Sequence, residues 1–175
     1  MAGTTIAPSV LTELQRQMNH ELFAAHGYLA LSLWCEAQNL KGFARFFQKQ
    51  ADEERVHARK FIEHLLDRSV LPEVTTLAAP KGKFKSLMDV AKQAQAMEQA
   101  NTAGINAAYE AAGKAQDYAS MVLLQWFITE QVEEEDWANE MVDRVEQASC
   151  AGALTDLDRH IERYLAEKVV ETEDD

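Results

Sequence analysis

The sequence predicts an all-α fold: a four-helix bundle with one long crossover in its middle and a short fifth C-terminal helix. Three observations point there. The 175 residues include only 7 Gly and 3 Pro, too few turn formers for a sheet-rich chain of this length. Apolar residues recur at spacings of three and four along four long stretches, the period of a buried helix face. The breaks between those stretches run short, long, short, which suits two antiparallel pairs joined by one crossover. The length and the 47% hydrophobic content fit a single domain over residues 1–175.

The elements follow in order from local signals. Pro8-Ser9 opens the first helix, with Ser9 as its N-cap, and it runs to about residue 38. Asn39 to Gly42 makes a short break, and a second helix spans 41–69. Residues 70–85 (VLPEVTTLAAPKGKFK) carry two prolines and read as the crossover. Ser86 caps a third helix ending near Gly113; Asp117 caps a fourth that runs to about Ser149, where Gly152 breaks it. The bundle therefore covers about 9–149, and an amphipathic fifth helix covers about 155–168. The tail ETEDD is acidic and expected to fray.

The formal net charge is −12. That disfavours nucleic acid and anionic membrane as partners and is compatible with attracting metal cations. Cys35 and Cys150 form no CxxC pair, as expected in a reducing compartment. No run of 18 apolar residues occurs, and the first nine residues lack a signal-peptide core. These features predict a soluble, cytoplasmic protein.

The apolar stripes carry the functional signal. On the first helix the stripe is Leu11, Leu14, Met18, Glu21, Ala25, Tyr28, Ser32, Cys35; on the second it is Phe43, Phe47, Gln50, Glu54, His57, Phe61, His64. On the third it is Leu87, Ala91, Ala94, Glu98, Asn101, Ile105, Ala108; on the fourth it is Leu124, Phe127, Gln131, Glu134, Ala138, Met141, Val145. Each stripe has an acid where a hydrophobe belongs, near the helix midpoint. In antiparallel helices of similar length the midpoints stack at one level. Glu21, Glu54, His57, Glu98, Gln131 and Glu134 should therefore converge on one buried layer.

Four buried carboxylates repel one another and lose hydration, at several kcal/mol per ion, unless they protonate or bind cations. A pair of divalent cations removes the conflict, and carboxylates with one imidazole suit iron, manganese or zinc. Glu54 and His57 lie one turn apart on one face, and a carboxylate such as Glu54 can bridge two metals. One mid-stripe Glu is ordinarily a surface residue read out of phase; four at one depth beside a His are not. Glu53, Glu130 and Glu133 sit one residue earlier and face a neighbouring side, as an additional cation site or a path outwards. Glu135 and Asp136 read as solvated surface. His20 reads as a surface residue, His160 as polar surface or interface, and His64 as a hydrogen-bonded core residue; His26 lies on a different face from Glu21 and Tyr28 and is not read as a ligand. Trp34, Trp126 and Trp137 read as packing, and neither cysteine as a nucleophile.

The segments QMNHELFAAHGYLALSLWC, FFQKQADEERVHARKF, AMEQANTAGIN and LLQWFITEQVEEED resemble the ferritins, in particular the non-haem bacterial ferritins, over about residues 10–165. The resemblance implies a ferritin-like bundle, a di-iron ferroxidase centre and a 24-subunit hollow shell storing ferric mineral. It implies a first iron at Glu21, Glu54 and His57, with Glu54 bridging, and a second iron at Glu98 and Glu134. It places Gln131 and Tyr28 beside the centre and a third iron at Glu53, Glu130 and Glu133. Fe(II) and O2 or hydrogen peroxide are the implied partners.

Three departures from related patterns matter. Gln131 and Glu134 stand where bacterioferritins repeat ExxH. Arg55 follows the bridging Glu54 where bacterioferritins use a haem-binding Met, so no haem is expected. Met121 and Leu124 stand where animal ferritins line a threefold pore with acids. Two other functions compete: a non-storing di-iron oxidase or peroxidase of the same fold, and a metal-free structural bundle whose inner acids are protonated.

Overall fold

The computed structural model describes residues 6–148 and 150–166. Five helices follow in order: α1 (Pro8–Ala37), α2 (Lys41–Asp67), α3 (Leu87–Lys114), α4 (Tyr118–Gln147) and α5 (Ala151–Ala166). No strand occurs among the described residues. Among them, no helix is long and apolar enough to cross a membrane.

Two of the three N-caps are as the sequence indicates. The Ser86 side chain accepts from Asp89 N at 3.2 Å, and Asp117 Oδ1 accepts from Ser120 N at 3.2 Å. Ser9 is not a cap. The helix starts at Pro8, and Ala7 stands at the N-cap without a side-chain hydrogen bond. Proline at the first position removes one donor that a cap would satisfy.

The ends of α1, α2 and α3 use no glycine. Asn39, Ser69 and Gln116 take left-handed backbone angles, with φ of 61°, 60° and 54°. The residue after each closes a bond to a carbonyl five residues back: Leu40 N to Cys35 O, Val70 N to Leu65 O, and Asp117 N to Ala112 O, each 2.9 Å. Gly42 is therefore not a breaker; it lies in the first turn of α2. A Cβ there would collide with the backbone carbonyl of Asp158 on α5, so Gly42 permits that helix to dock. Gly152 also lies inside a helix, the first turn of α5, which starts earlier than residue 155. Ser149, Lys168 and the ETEDD tail lie outside the described residues.

The core has two hydrophobic clusters. One contains Val10, Leu14, Met18, Phe61, Leu65, Ile105, Leu124 and Phe127. The other contains Leu31, Cys35, Phe43, Phe47, Leu87, Val90 and Met141, with Leu157, Ile161 and Leu165 of α5. Helices α1 and α4 run from the first cluster to the second; α2 and α3 run the other way. The segment between α2 and α3 must therefore return the full length of the bundle, which explains its size. It lies along α1: Glu73 N donates to Gln15 Oε1 at 2.7 Å, Asn19 Nδ2 donates to Glu73 O at 2.9 Å, and Thr75 N donates to Asn19 Oδ1 at 2.9 Å. Burying each large side chain such as Phe47 or Phe61 stabilises the bundle by about 1.5–3 kcal/mol.

Candidate metal centre

Between the two clusters the bundle interior is polar. Glu21, Glu54, Glu98 and Glu134 are 0, 2, 1 and 5% exposed, and His57 and Gln131 are each 3% exposed. Each comes from the middle of a different bundle helix, apart from the pairs Glu54–His57 on α2 and Gln131–Glu134 on α4. The antiparallel arrangement thus stacks the helix midpoints at one level.

Glu21, Glu54 and His57 each bring one ligand atom into a group whose members lie within 4.8 Å of one another. His57 Nδ1 is 3.3 Å from Glu54 Oε2. A second group of the same reach joins Glu53, His57 and Glu130. Neither group contains Glu98, Glu134 or Glu133. Glu98 receives hydrogen bonds from the Tyr28 hydroxyl and, at 3.3 Å, from Gln131 Nε2. Glu134 Oε2 accepts from Gln50 Nε2 at 3.1 Å and from Trp137 Nε1 at 2.5 Å. Glu53 and Glu130 are half-buried and Glu133 is exposed. They line a groove of about 1130 Å³ that also reaches Gln131, Glu134 and Trp137.

The electrostatics are unfavourable for four bare carboxylates. Burial and the Glu54 charge hold the Glu21 carboxyl well above its ordinary range. Burial and the Glu98 charge do the same to Glu54 and Glu134. Burial pushes Glu98 up to about 7, although hydrogen bonds from Tyr28 and Gln131 oppose it. Tyr28 is raised well above its ordinary value by burial, then by the charge of Glu98. Burial also raises Glu130. Glu21 Oε2 is buried and meets no donor among the described residues. An acceptor left unpaired inside a protein is costly, and a cation beside it would end the deficit. Oxygen donors with one imidazole nitrogen fit a divalent transition metal.

Some of the surroundings were not apparent in the stripes. Gln17 is fully buried off the stripe and donates to Glu21 Oε1 at 2.9 Å. Its signal is position alone, one turn before Glu21. Trp126 is more than a packing residue: it is 39% exposed, its ring lies 5.6 Å from that of His57, and Lys60 Nζ lies 4.0 Å over it. Trp137 fixes Glu134. His20 is half-buried rather than at the surface, and His26 is exposed. His64 is hydrogen-bonded, 3.0 Å from Ser120 Oγ. Leu124 is wholly buried in the core.

Residues 11–148 match the ferritin family, described as the ferritin-like domain. A bacterial non-heme ferritin of Staphylococcus haemolyticus is 40% identical over 138 residues, 79% of this chain and 83% of that protein. A bacterial non-heme ferritin of Staphylococcus aureus is 40% identical over 130 residues, 74% of this chain and 78% of that one. Among solved structures, the open pore ferritin of the hyperthermophilic archaeon Archaeoglobus fulgidus superposes with a TM-score of 0.86. It is 28% identical and covers 89% of this chain and 97% of its own.

Proposed function

Because the chain belongs to the ferritin family and stores iron, we propose that its polar layer is a ferroxidase centre that oxidises the incoming Fe(II). Iron is the substrate here. Two Fe(II) ions enter the layer: one at Glu21, Glu54 and His57, the other at Glu98 and Glu134, with Glu54 between them. Metal ions in such paired sites lie about 3.5–4 Å apart. Each gives up one electron. O2 takes two electrons and two protons to become hydrogen peroxide, or hydrogen peroxide takes two of each to become two waters.

The protein's own groups prepare this step. Negative oxygen ligands favour Fe(III) over Fe(II). Trp137 and Gln50 hold Glu134, while Tyr28 and Gln131 hold Glu98. Tyr28 acts at the second position through the hydrogen bond that its hydroxyl donates to Glu98. Glu53, Glu130 and Glu133 form a third iron position on the groove wall, where Fe(III) leaves for hydrolysis. In this reading a hollow homo-oligomeric shell, of 24 subunits as the family resemblance implies, encloses the mineral, and no haem takes part.

The observation that carries this reading is the burial of four carboxylates and His57 in one layer, with Glu21 Oε2 unpaired. Glu54→Ala and His57→Ala are expected to oxidise Fe(II) far more slowly than the parent under air. Parent-like rates in both would reject the centre. Size-exclusion mass during aerobic Fe(II) loading tests storage: a large shell should retain many irons per subunit. A small species retaining about two would instead mark a non-storing oxidase.

A further inference from the structure

Three buried amides join two of the carboxylates across the bundle. Gln17 Nε2 on α1 donates to Glu21 Oε1 at 2.9 Å and to Asn101 Oδ1 at 2.5 Å. Asn101 Nδ2 on α3 donates to Gln131 Oε1 at 3.3 Å, and Gln131 Nε2 on α4 donates to Glu98 Oε2 at 3.3 Å. Gln17, Asn101 and Gln131 are 0, 1 and 3% exposed, so water does not compete for these bonds.

The chain has a defined direction. A carboxylate that a cation holds ionised only accepts, so an N–H must face it at both ends. Asn101 and Gln131 each turn an oxygen to one neighbour and an N–H to the next. Gln17 heads the chain, because its one NH2 group has two hydrogens, one for Glu21 and one for Asn101. Turned over, the same amide would set its oxygen against two acceptors. The arrangement leaves Gln17 Oε1 buried without a donor. That is an unfavourable position, held by the bonds on the nitrogen side.

Gly104 belongs to the same device. It lies on α3, one turn after Asn101, and a Cβ there would collide with Gln17 Oε1. Its carbonyl accepts from Arg16 Nη2 at 2.8 Å, which ties α1 closely to α3 at this level. The missing side chain is the space that the Gln17 amide occupies.

We propose that Gln17 and Asn101 are positioning residues that, through Gln131, orient Glu21 and Glu98 as one unit and so set the geometry of both metal positions. This rests on the reading of the layer as a paired metal site. Residues that orient ligands in this way change metal affinity roughly 10- to 100-fold when removed.

The test uses Co(II) without oxygen, since its visible absorption reports ligand geometry. Gln17→Met keeps the length and removes the donor. Gly104→Ala leaves Gln17 in place but displaces its amide. It is expected to fold, because Ala is the better helix former and the atom it meets is the end of a flexible side chain. Both variants should keep the parent's near-ultraviolet circular dichroism, bind Co(II) roughly 10- to 100-fold more weakly at the paired site, and show an altered Co(II) spectrum. A purely structural role would move the melting temperature and leave the spectrum alone. If Gln17→Met does not fold, Gly104→Ala decides. Variants that match a Co(II)-binding parent in affinity and spectrum overturn the positioning role. A parent that binds no Co(II) overturns the metal site itself.

Discussion

Asp158 on α5 caps Phe43 on α2. One oxygen, Oδ1, accepts from Phe43 N at 3.1 Å and from Gly42 N at 3.0 Å. The first amides of a helix have no partner within it, and Leu40 at the N-cap offers no side-chain bond. The C-terminal helix therefore supplies the cap that the local sequence lacks, while Leu157, Ile161 and Leu165 bury its apolar face.

Asp158→Ala should cost about 0.5–2 kcal/mol, as loss of an N-cap does. Gly42→Ala should cost more, because the new Cβ meets backbone rather than a side chain that can turn away. Urea unfolding midpoints would compare the two. Limited proteolysis should cut α5 first in Gly42→Ala. Equal resistance of α5 in parent and variant would reject the docking role of Gly42.

Without metal, stability should fall as pH rises from about 5 to 8. Glu21, Glu54 and Glu134 are raised well above the ordinary carboxylate range, and Glu98 to about 7. Below the unfolded value of these groups both states are protonated, and their burial adds no electrostatic penalty. Above it the folded state binds more protons than the unfolded one, so each pH step favours unfolding until the folded values are passed. Melting of chelator-treated protein measures the slope. Zn(II) at 100 times its dissociation constant should add about 2.7 kcal/mol per site and flatten the slope. A rising slope in the metal-free protein would contradict this account.

Glu54→Gln should stabilise the metal-free protein at pH 8. It keeps the shape of the side chain but removes a buried charge facing Glu98. The amide escapes the burial and repulsion that hold the Glu54 carboxyl well above its ordinary range, a penalty that grows as pH rises. The same change should abolish most of the stabilisation by Zn(II). Thermal melting with and without Zn(II) shows both effects in one experiment. A variant less stable than the parent in both conditions would count against charge repulsion in the layer.

Arg68→Ala should weaken the bundle end by up to about 3 kcal/mol without slowing iron oxidation. Arg68 Nη1 donates to Asp117 Oδ1 at 2.6 Å, to Oδ2 at 2.7 Å and to Ser120 Oγ at 3.1 Å. Burial pushes the Asp117 carboxyl up, but the hydrogen bonds from Arg68 and Ser120 outweigh it and hold the group below its ordinary value. Its contribution is therefore present above the ordinary carboxylate range and lost as pH falls through the folded value. The variant should lose that acid-side slope. Melting curves between pH 2 and 5, set beside Fe(II) oxidation rates, separate this effect from the metal centre.

Much of this molecule is legible in the order of its residues. Spacing alone puts Glu21, Glu54, Glu98 and Glu134 on the buried faces, because a helix of known period leaves little choice of face. Ser86 and Asp117 announce their caps because an N-cap bonds only two or three residues ahead. Gly42 and Gly152 mislead as breakers, since each lies in the first turn of a helix. A glycine signals a helix end only when nothing distant needs the space, and Asp158 needs it at Gly42. The first three helices end instead on Asn39, Ser69 and Gln116, and of these only Asn39 is a residue that commonly stops a helix.

The sequence by itself determined the helices, their inward acids and the need for one long crossover, because those depend on short-range periodicity and chain reach. Only the tertiary structure decided what each acid touches. Gln17 becomes a partner of Asn101, Gln131 a partner of Glu98, Gln50 a partner of Glu134, and Asp158 a cap for α2. Those pairings depend on interhelical register, where a shift of one turn exchanges every neighbour. Register is set by the packing of two apolar clusters at opposite ends of the bundle, a property of all the helices together.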